Sequence, residues 1–316
     1  MTTPTLAIAT NHLSYKYANG STGLADITLQ LPWGTRTLLI GSNGAGKSTL
    51  LKLLAGKTLS SIGEVLIGGH DPFRGGSDAT HITTYLGTEW ASNPIVRRDI
   101  PVTVLIDSVG GSVFPERRDL LVKLLDVDLR WRMHQVSDGE RRRVQLVMGL
   151  LKPWKVLLLD EVTVDLDVQV RYELLDFLKQ ETEERECSII YATHIFDGLG
   201  NWPTNVVHIQ AGRVLKNLDY QKDISFVDGS ADEKNGSSGD LQESFKFINE
   251  QQLLINKIKS LHPLALDWLV NDLSSRGTRV EDKNRVKWDD LKSQLEKFYD
   301  GSSDRITEYF KRNRTS

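Results

Sequence analysis

Nine consecutive residues, Gly41-Ser42-Asn43-Gly44-Ala45-Gly46-Lys47-Ser48-Thr49, have the types and the spacing to hold a chain of phosphates. The run fits the pattern G-x-x-x-x-G-K-[ST]. Its glycines let backbone N–H groups curl round phosphate oxygens, Lys47 carries a cation to the outer phosphates, and the Ser48 hydroxyl is a hard oxygen donor for Mg²⁺. The apolar run Thr37-Leu38-Leu39-Ile40 enters the motif as a strand, and a helix bearing Leu50, Leu53 and Leu54 leaves it. The N-terminus of that helix adds a favourable dipole for anions. A second pair, Asp160-Glu161, follows Val156-Leu157-Leu158-Leu159, at the carboxyl end of a buried strand, where open α/β sheets bind ligands. Asp160 is suited to hold Mg²⁺ through water, and Glu161 to polarise an attacking water as general base.

These two motifs together describe a P-loop nucleotide hydrolase, a class that includes GTPases, helicases and kinases. A third motif narrows it. Val136-Ser137-Asp138-Gly139-Glu140 runs into Arg141-Arg142-Arg143-Val144-Gln145-Leu146, with Ser137 standing 23 positions before Asp160. This resembles the signature of ABC ATPases, usually Leu-Ser-Gly-Gly-Gln followed by a helix. In the same order Tyr17 looks like the aromatic on which adenine stacks, Val164-Asp165-Leu166-Asp167 like the D-loop, and His194 like the switch histidine. The resemblance covers roughly residues 6 to 222. It implies that Tyr17, Gly41 to Thr49, Ser137 and Gly139 bind ATP, and that Ser48, Asp160 and Glu89 surround Mg²⁺. Glu161, aided by His194 and Asp167, would hydrolyse the ATP. In that family the signature of one cassette closes over the nucleotide of another, so one phosphate loop per chain implies a homodimer, with Ser137 and Gly139 acting in trans.

Three residues depart from the family pattern. Asp138 stands for a glycine, Glu140 for a glutamine, and Glu89 for the Q-loop glutamine. Each adds negative charge near a triphosphate. Two unit charges ~4 Å apart repel by about 1 kcal/mol in water and about 4 kcal/mol at an effective dielectric of 20. Asp138 is therefore predicted to oppose dimer closure, unless its carboxylate turns away or Arg141, Arg142 and Arg143 offset it. The arginine run reads equally well as a solvated helix face.

The elements that must position these groups alternate short β-branched or leucine-rich runs with helical patterns, which predicts an α/β domain with a mostly parallel sheet. Ala7-Ile8-Ala9 and residues 27–31 suit a smaller antiparallel layer, and residues 90–134 a helical subdomain. Within it, 117–125 reads as a helix with Leu120, Leu121, Leu124 and Leu125 on its apolar stripe. The polar stretch DGSADEKNGSSGD reads as a flexible linker at 228–240, separating a nucleotide-binding domain, 1–227, from a mainly helical extension, 241–316. There Leu254, Ile258 and Leu261 keep helical spacing, and Trp288, Leu291, Leu295 and Phe298 form a second stripe. The extension suits either packing on the cassette or docking a partner.

The longest apolar runs fall far short of the ~20 residues that cross a bilayer. The lone Cys187, in an apolar-flanked run, suits a packed strand position and a reducing cytosolic or nuclear address. A net charge of −3 gives no general attraction for nucleic acid. Residues 85–90, 128–134, 148–154, 160–168, 192–199 and 261–268 also resemble a narrower, soluble fungal branch of the ABC family linked to the Ccr–Not regulator of transcription and mRNA turnover. That resemblance implies a regulatory complex as partner and a cytoplasmic or nuclear address. Three readings remain open here: an ATP-driven dimerising switch in such a complex, the ATPase subunit of a transporter with separate membrane subunits, and an ATP-binding scaffold with little hydrolysis.

Overall fold

The computed structural model describes residues 5–59, 62–74, 82–224, 245–249, 252–255 and 260–276. Two sheets organise the cassette. Strands β1 (Ile8–Lys16), β2 (Thr22–Leu31) and β4 (Ile62–Ile67) form an antiparallel layer in the order β2-β1-β4. The main sheet runs β5 (Thr83–Leu86), β6 (Val156–Asp160), β7 (Ser188–Ala192), β3 (Arg36–Ile40), β8 (Asn205–Gln210) and β9 (Arg213–Asp219). Its first five strands are parallel, and β9 pairs antiparallel with β8.

Every residue of β3, β6 and β7 is buried, which is why they read as unbroken apolar runs rather than alternating ones. Successive side chains still point to opposite faces. Leu157 and Leu159 join one core, with the helices α5 (Asp138–Leu151) and α6 (Val168–Glu184); Val156 and Leu158 join a second, with α1 (Lys47–Leu54) and the antiparallel layer. The helical subdomain comprises α2 (Glu89–Ser92), a 3₁₀ turn (Pro94–Arg97), α3 (Val102–Ser108) and α4 (Pro115–Leu124). Leu121 and Leu125 are fully buried, as one helical face requires, whereas Leu120 is 50% exposed. The expected stripe is thus narrower, because Leu120 lies about 100° round the helix from Leu121. Arg117 fixes α4 against both long helices: it donates to the Leu150 carbonyl at 2.8 Å and to Glu181 Oε1 at 3.0 Å.

The C-terminal part differs from its expected pattern. Leu254 lies not on a helix but on β11 (Gln252–Ile255), paired antiparallel with β10 (Phe245–Asn249). Phe245, Phe247, Leu253 and Ile255 suit an extended pleat better than a helix. Ile258, the linker and the stripe from Trp288 to Phe298 lie outside the described residues. Beyond a short helix α7 (Tyr220–Asp223), α8 (His262–Arg276) is helical as the sequence suggests. By compactness the chain divides after Leu269. Leu261, Ala265 and Trp268 join the larger core, and Trp268 stacks on His208 with ring centroids 4.5 Å apart. Cys187 is buried immediately before β7, and burial raises its thiol pKa to about 11. Among the described residues no helix is long and apolar enough to cross a membrane.

Candidate nucleotide site

The loop between β3 and α1 is set by glycine geometry. Gly46 has φ 108°, and a Cβ there would lie 2.9 Å from the Gly23 carbonyl oxygen and 2.8 Å from Leu24 Cδ2. Only glycine meets both demands without strain. Lys47, next in sequence, is 7% exposed and turns its ammonium back into the loop, donating to the carbonyls of Gly41 at 2.6 Å and Ser42 at 3.2 Å. Burial lowers its pKa, while the nearby Glu161 and Asp160 pull it back up. The ammonium contacts backbone oxygens of the loop itself, which places it where phosphate oxygens could meet it.

Opposite this loop, β6 ends at Asp160. Ser48 donates to its Oδ1 and the Tyr85 hydroxyl to its Oδ2, each at 3.1 Å. Burial raises the Asp160 pKa, with the two hydrogen bonds opposing that rise, and burial beside this carboxylate pushes the Tyr85 phenol well above its ordinary value. The Ser48–Asp160 pair presents hard oxygens side by side at the loop, a donor set that fits Mg²⁺. Glu161 follows with φ 55°, a left-handed conformation that is strained for a non-glycine residue. Its N–H donates to the Ala192 carbonyl at 2.9 Å, and the next two residues, Val162 and Thr163, are fully buried, with Thr163 bonded to the Tyr191 hydroxyl. These contacts hold the strained carboxylate at the sheet edge. His194 Nδ1 stands 3.7 Å from Glu161 Oε1.

One cleft of about 350 Å³ is lined by Tyr17, Asn43, Gly44, Gly46, Lys47, Ser48, Thr49, Thr88, Asp160 and Glu161. The Tyr17 hydroxyl lies 2.5 Å from Thr49 Oγ1, which pins the ring at the rim while leaving it 43% exposed for stacking. Gly41, Ser42 and Ala45 form the back of the loop without lining the cleft. Ser137, Gly139, Glu89 and Asp167 do not line it either. Glu89 is paired with Lys52 of α1. Asp167 caps α6, accepting from the Val170 N–H at 2.9 Å, and pairs with Arg143 at 2.5 Å.

The signature region is built from charged side chains. Ser137 caps α5 in a reciprocal capping box: its Oγ accepts from the Glu140 N–H at 3.2 Å, and Glu140 Oε2 accepts from the Ser137 N–H at 2.7 Å. Glutamate serves this box as well as glutamine does. Asp138 is paired with Arg97, at 3.0 Å, and with Arg141. The expected unbalanced charge at Asp138 is thus locally compensated. Nor is the arginine run a solvated face: Arg141 is 5% and Arg142 3% exposed. Sequence reading did not single out Tyr85, Thr88 or Arg97, whose roles depend on groups distant in sequence: Asp160 for Tyr85, the cleft for Thr88 and Asp138 for Arg97.

A phosphate loop, a strand-end Asp-Glu pair and a serine-capped signature helix on this two-sheet α/β frame define an ATP-binding cassette, and the chain belongs to the ABC ATPase family. The family model described as "ABC transporter" matches residues 24–164. CCR4-associated factor 16 of Saccharomyces cerevisiae is 53% identical over 280 residues, covering 84% of this chain and 95% of that protein. ABC transporter I family member 21 of Arabidopsis thaliana is 44% identical over 235 residues, covering 69% of this chain and 80% of the relative. Among solved structures, a dimeric ATP-binding cassette bound to ADP and phosphate in a post-hydrolysis state superposes with TM-score 0.57 at 18% identity, over 67% of this chain and 98% of that one. At that identity the likeness speaks for the fold alone.

Proposed function

We propose that this chain binds ATP with Mg²⁺ and hydrolyses it slowly as a homodimer, its closure and reopening serving as a conformational switch in a Ccr–Not-type regulatory complex of the cytoplasm or nucleus. The observation that carries the reading is the single cleft in which Tyr17, the phosphate loop, Asp160 and Glu161 converge. Lys47 would bind the outer phosphates, and Ser48 and Asp160 would hold Mg²⁺, which supplies charge neutralisation to the phosphates when bound. Glu161 would take the proton of the attacking water, with His194 beside it and Asp167 at the end of the D-loop. Ser137 and Gly139 lie outside the lining of this chain's own cleft, which agrees with a role toward a second copy. Turnover would then follow the fraction of chain that is dimeric, and slow hydrolysis needs no repulsion from Asp138. The partner complex is inferred from the name of the yeast relative, CCR4-associated factor 16.

The test is Glu161→Gln. The variant should retain ATP, lose at least ~10²-fold in hydrolysis, and run as a dimer on size exclusion with saturating Mg-ATP. A monomer under those conditions would sink the sandwich reading. Affinity purification of the native protein tests the partner: recovery of Ccr–Not subunits is expected, and their absence removes that part of the proposal.

A further inference from the structure

Three successive arginines at the start of α5 reach three different segments. Arg141 is turned to the loop that precedes its own helix, donating to the carbonyls of Met133 at 3.1 Å and Val136 at 2.8 Å. Arg143 pairs with Asp126 at 2.9 Å and with Asp167 at 2.5 Å. Arg142 lies between them and is the most enclosed of the polar side chains there. It donates through Nη1 to the Gly87 carbonyl at 3.1 Å and to Gln145 Oε1 at 2.5 Å, while Gln145 Nε2 donates to the same Gly87 carbonyl at 2.9 Å. A single backbone oxygen is thus held by two side chains from adjacent turns of α5. On its other side Arg142 Nη2 stands 3.7 Å from Asp165 Oδ2.

The segments it touches are those that bound the nucleotide cleft. Gly87 precedes Thr88, which lines the cleft, and Glu89, which is paired with Lys52 of the phosphate-loop helix. Asp165 follows the buried Val162-Thr163 anchor of Glu161, and its carbonyl presses on the signature: a Cβ at Gly139 would lie 2.7 Å from Asp165 O. A guanidinium taken out of water at 3% exposure is costly unless its hydrogen bonds are specific. Its Nε has no hydrogen-bond partner, so its two terminal nitrogens carry the contacts. Planar, forked geometry lets arginine reach two directions at once where a lysine has one point charge.

Resting on the ATP-sandwich reading above, we infer that Arg142 is a positioning residue that fixes the Ser137–Gly139 signature relative to the Thr88 wall and the Glu161–Asp165 segment of its own cleft, so that what one cleft holds determines whether the same chain's signature can close on the partner's nucleotide. Nucleotide binding by the single chain does not need this link. Dimer closure does.

The experiment compares Glu161→Gln with Glu161→Gln carrying Arg142→Lys, and with Glu161→Gln carrying Asp165→Asn. The Kd for a fluorescent ATP analogue is measured with protein dilute enough to stay monomeric, and the ATP concentration at half-maximal dimerisation by light scattering. Arg142→Lys should leave the monomer Kd within about twofold and raise the dimerisation midpoint about tenfold, the size expected on losing one charge-assisted hydrogen bond. Asp165→Asn, at a side chain 43% exposed and so tolerant of change, should raise the midpoint about threefold. A merely structural role would lower the melting temperature and weaken both quantities together. If Arg142→Lys unfolds the chain, Asp165→Asn decides by the same two measurements. A dimerisation midpoint unchanged in the folded variants overturns the inference while leaving the sandwich reading intact. Failure of Glu161→Gln itself to dimerise overturns both.

Discussion

The phosphate loop and the signature are two motifs of one cassette, yet they are held by different physics. Around Gly46 the chain is shaped by backbone sterics: a left-handed φ and a neighbour 2.8 Å from any added Cβ leave no choice of residue. Around Ser137 the backbone is ordinary and the support is electrostatic, through a capping box, the Asp138 pairs with Arg97 and Arg141, and two buried guanidiniums. A backbone-made site is fixed by close packing, here of Gly46 against Gly23 and Leu24. A charge-made one depends on residues far away in sequence, such as Arg97 and Gly87, and so can respond to movement elsewhere in the cassette.

Substitutions can break this contrast. The largest effect is expected from Lys47→Ala, which removes the ammonium that donates to the Gly41 and Ser42 carbonyls. ATP affinity by calorimetry should fall by about 100-fold or more with little change in melting temperature. Gly46→Ala should instead cost roughly 2–4 kcal/mol of stability, because strain at φ 108° adds to overlap with Gly23 and Leu24. Denaturant unfolding reads that loss. Arg141→Met leaves the Met133 and Val136 carbonyls without their donor, at about 2 kcal/mol, and should lower the unfolding midpoint while monomer ATP affinity holds. An Arg141→Met variant that loses ATP affinity as well would mean that the two halves are not separately supported.

The smallest effect sharpens the comparison most. Asp138→Gly removes an exposed carboxylate already paired with Arg97 and Arg141. Stability should change by about 0.5 kcal/mol, within the usual range for exposed pairs, and the ATP midpoint for dimerisation by less than about twofold. A much larger gain in dimerisation would restore the idea of an acidic brake at the signature.

Much of the frame is legible in the sequence. Thr37 to Ile40, Val156 to Leu159 and the strand at Ser188 to Ala192 announce themselves because a strand buried on both faces must be apolar throughout. The phosphate loop was legible because glycine spacing and a following helix are consequences of local backbone geometry. The hairpin at Phe245–Asn249 and Gln252–Ile255 was not, since the spacing of Leu254, Ile258 and Leu261 in a short apolar stretch fits a helix as well as Leu254 fits a pleat.

By itself the sequence determined the sites whose information lies within one short segment: the curled loop at Gly41 to Thr49 and the Asp160-Glu161 pair at the end of the β6 run. Tertiary structure alone decided where the charges go. Nothing local distinguishes Arg141-Arg142-Arg143 from a solvated basic turn, because burial and pairing depend on Gly87, Asp126, Asp165 and Asp167 arriving from other parts of the chain. Coulomb and hydrogen-bond energies depend on separation in space, not in sequence, and so only the folded chain reveals which acid meets which base.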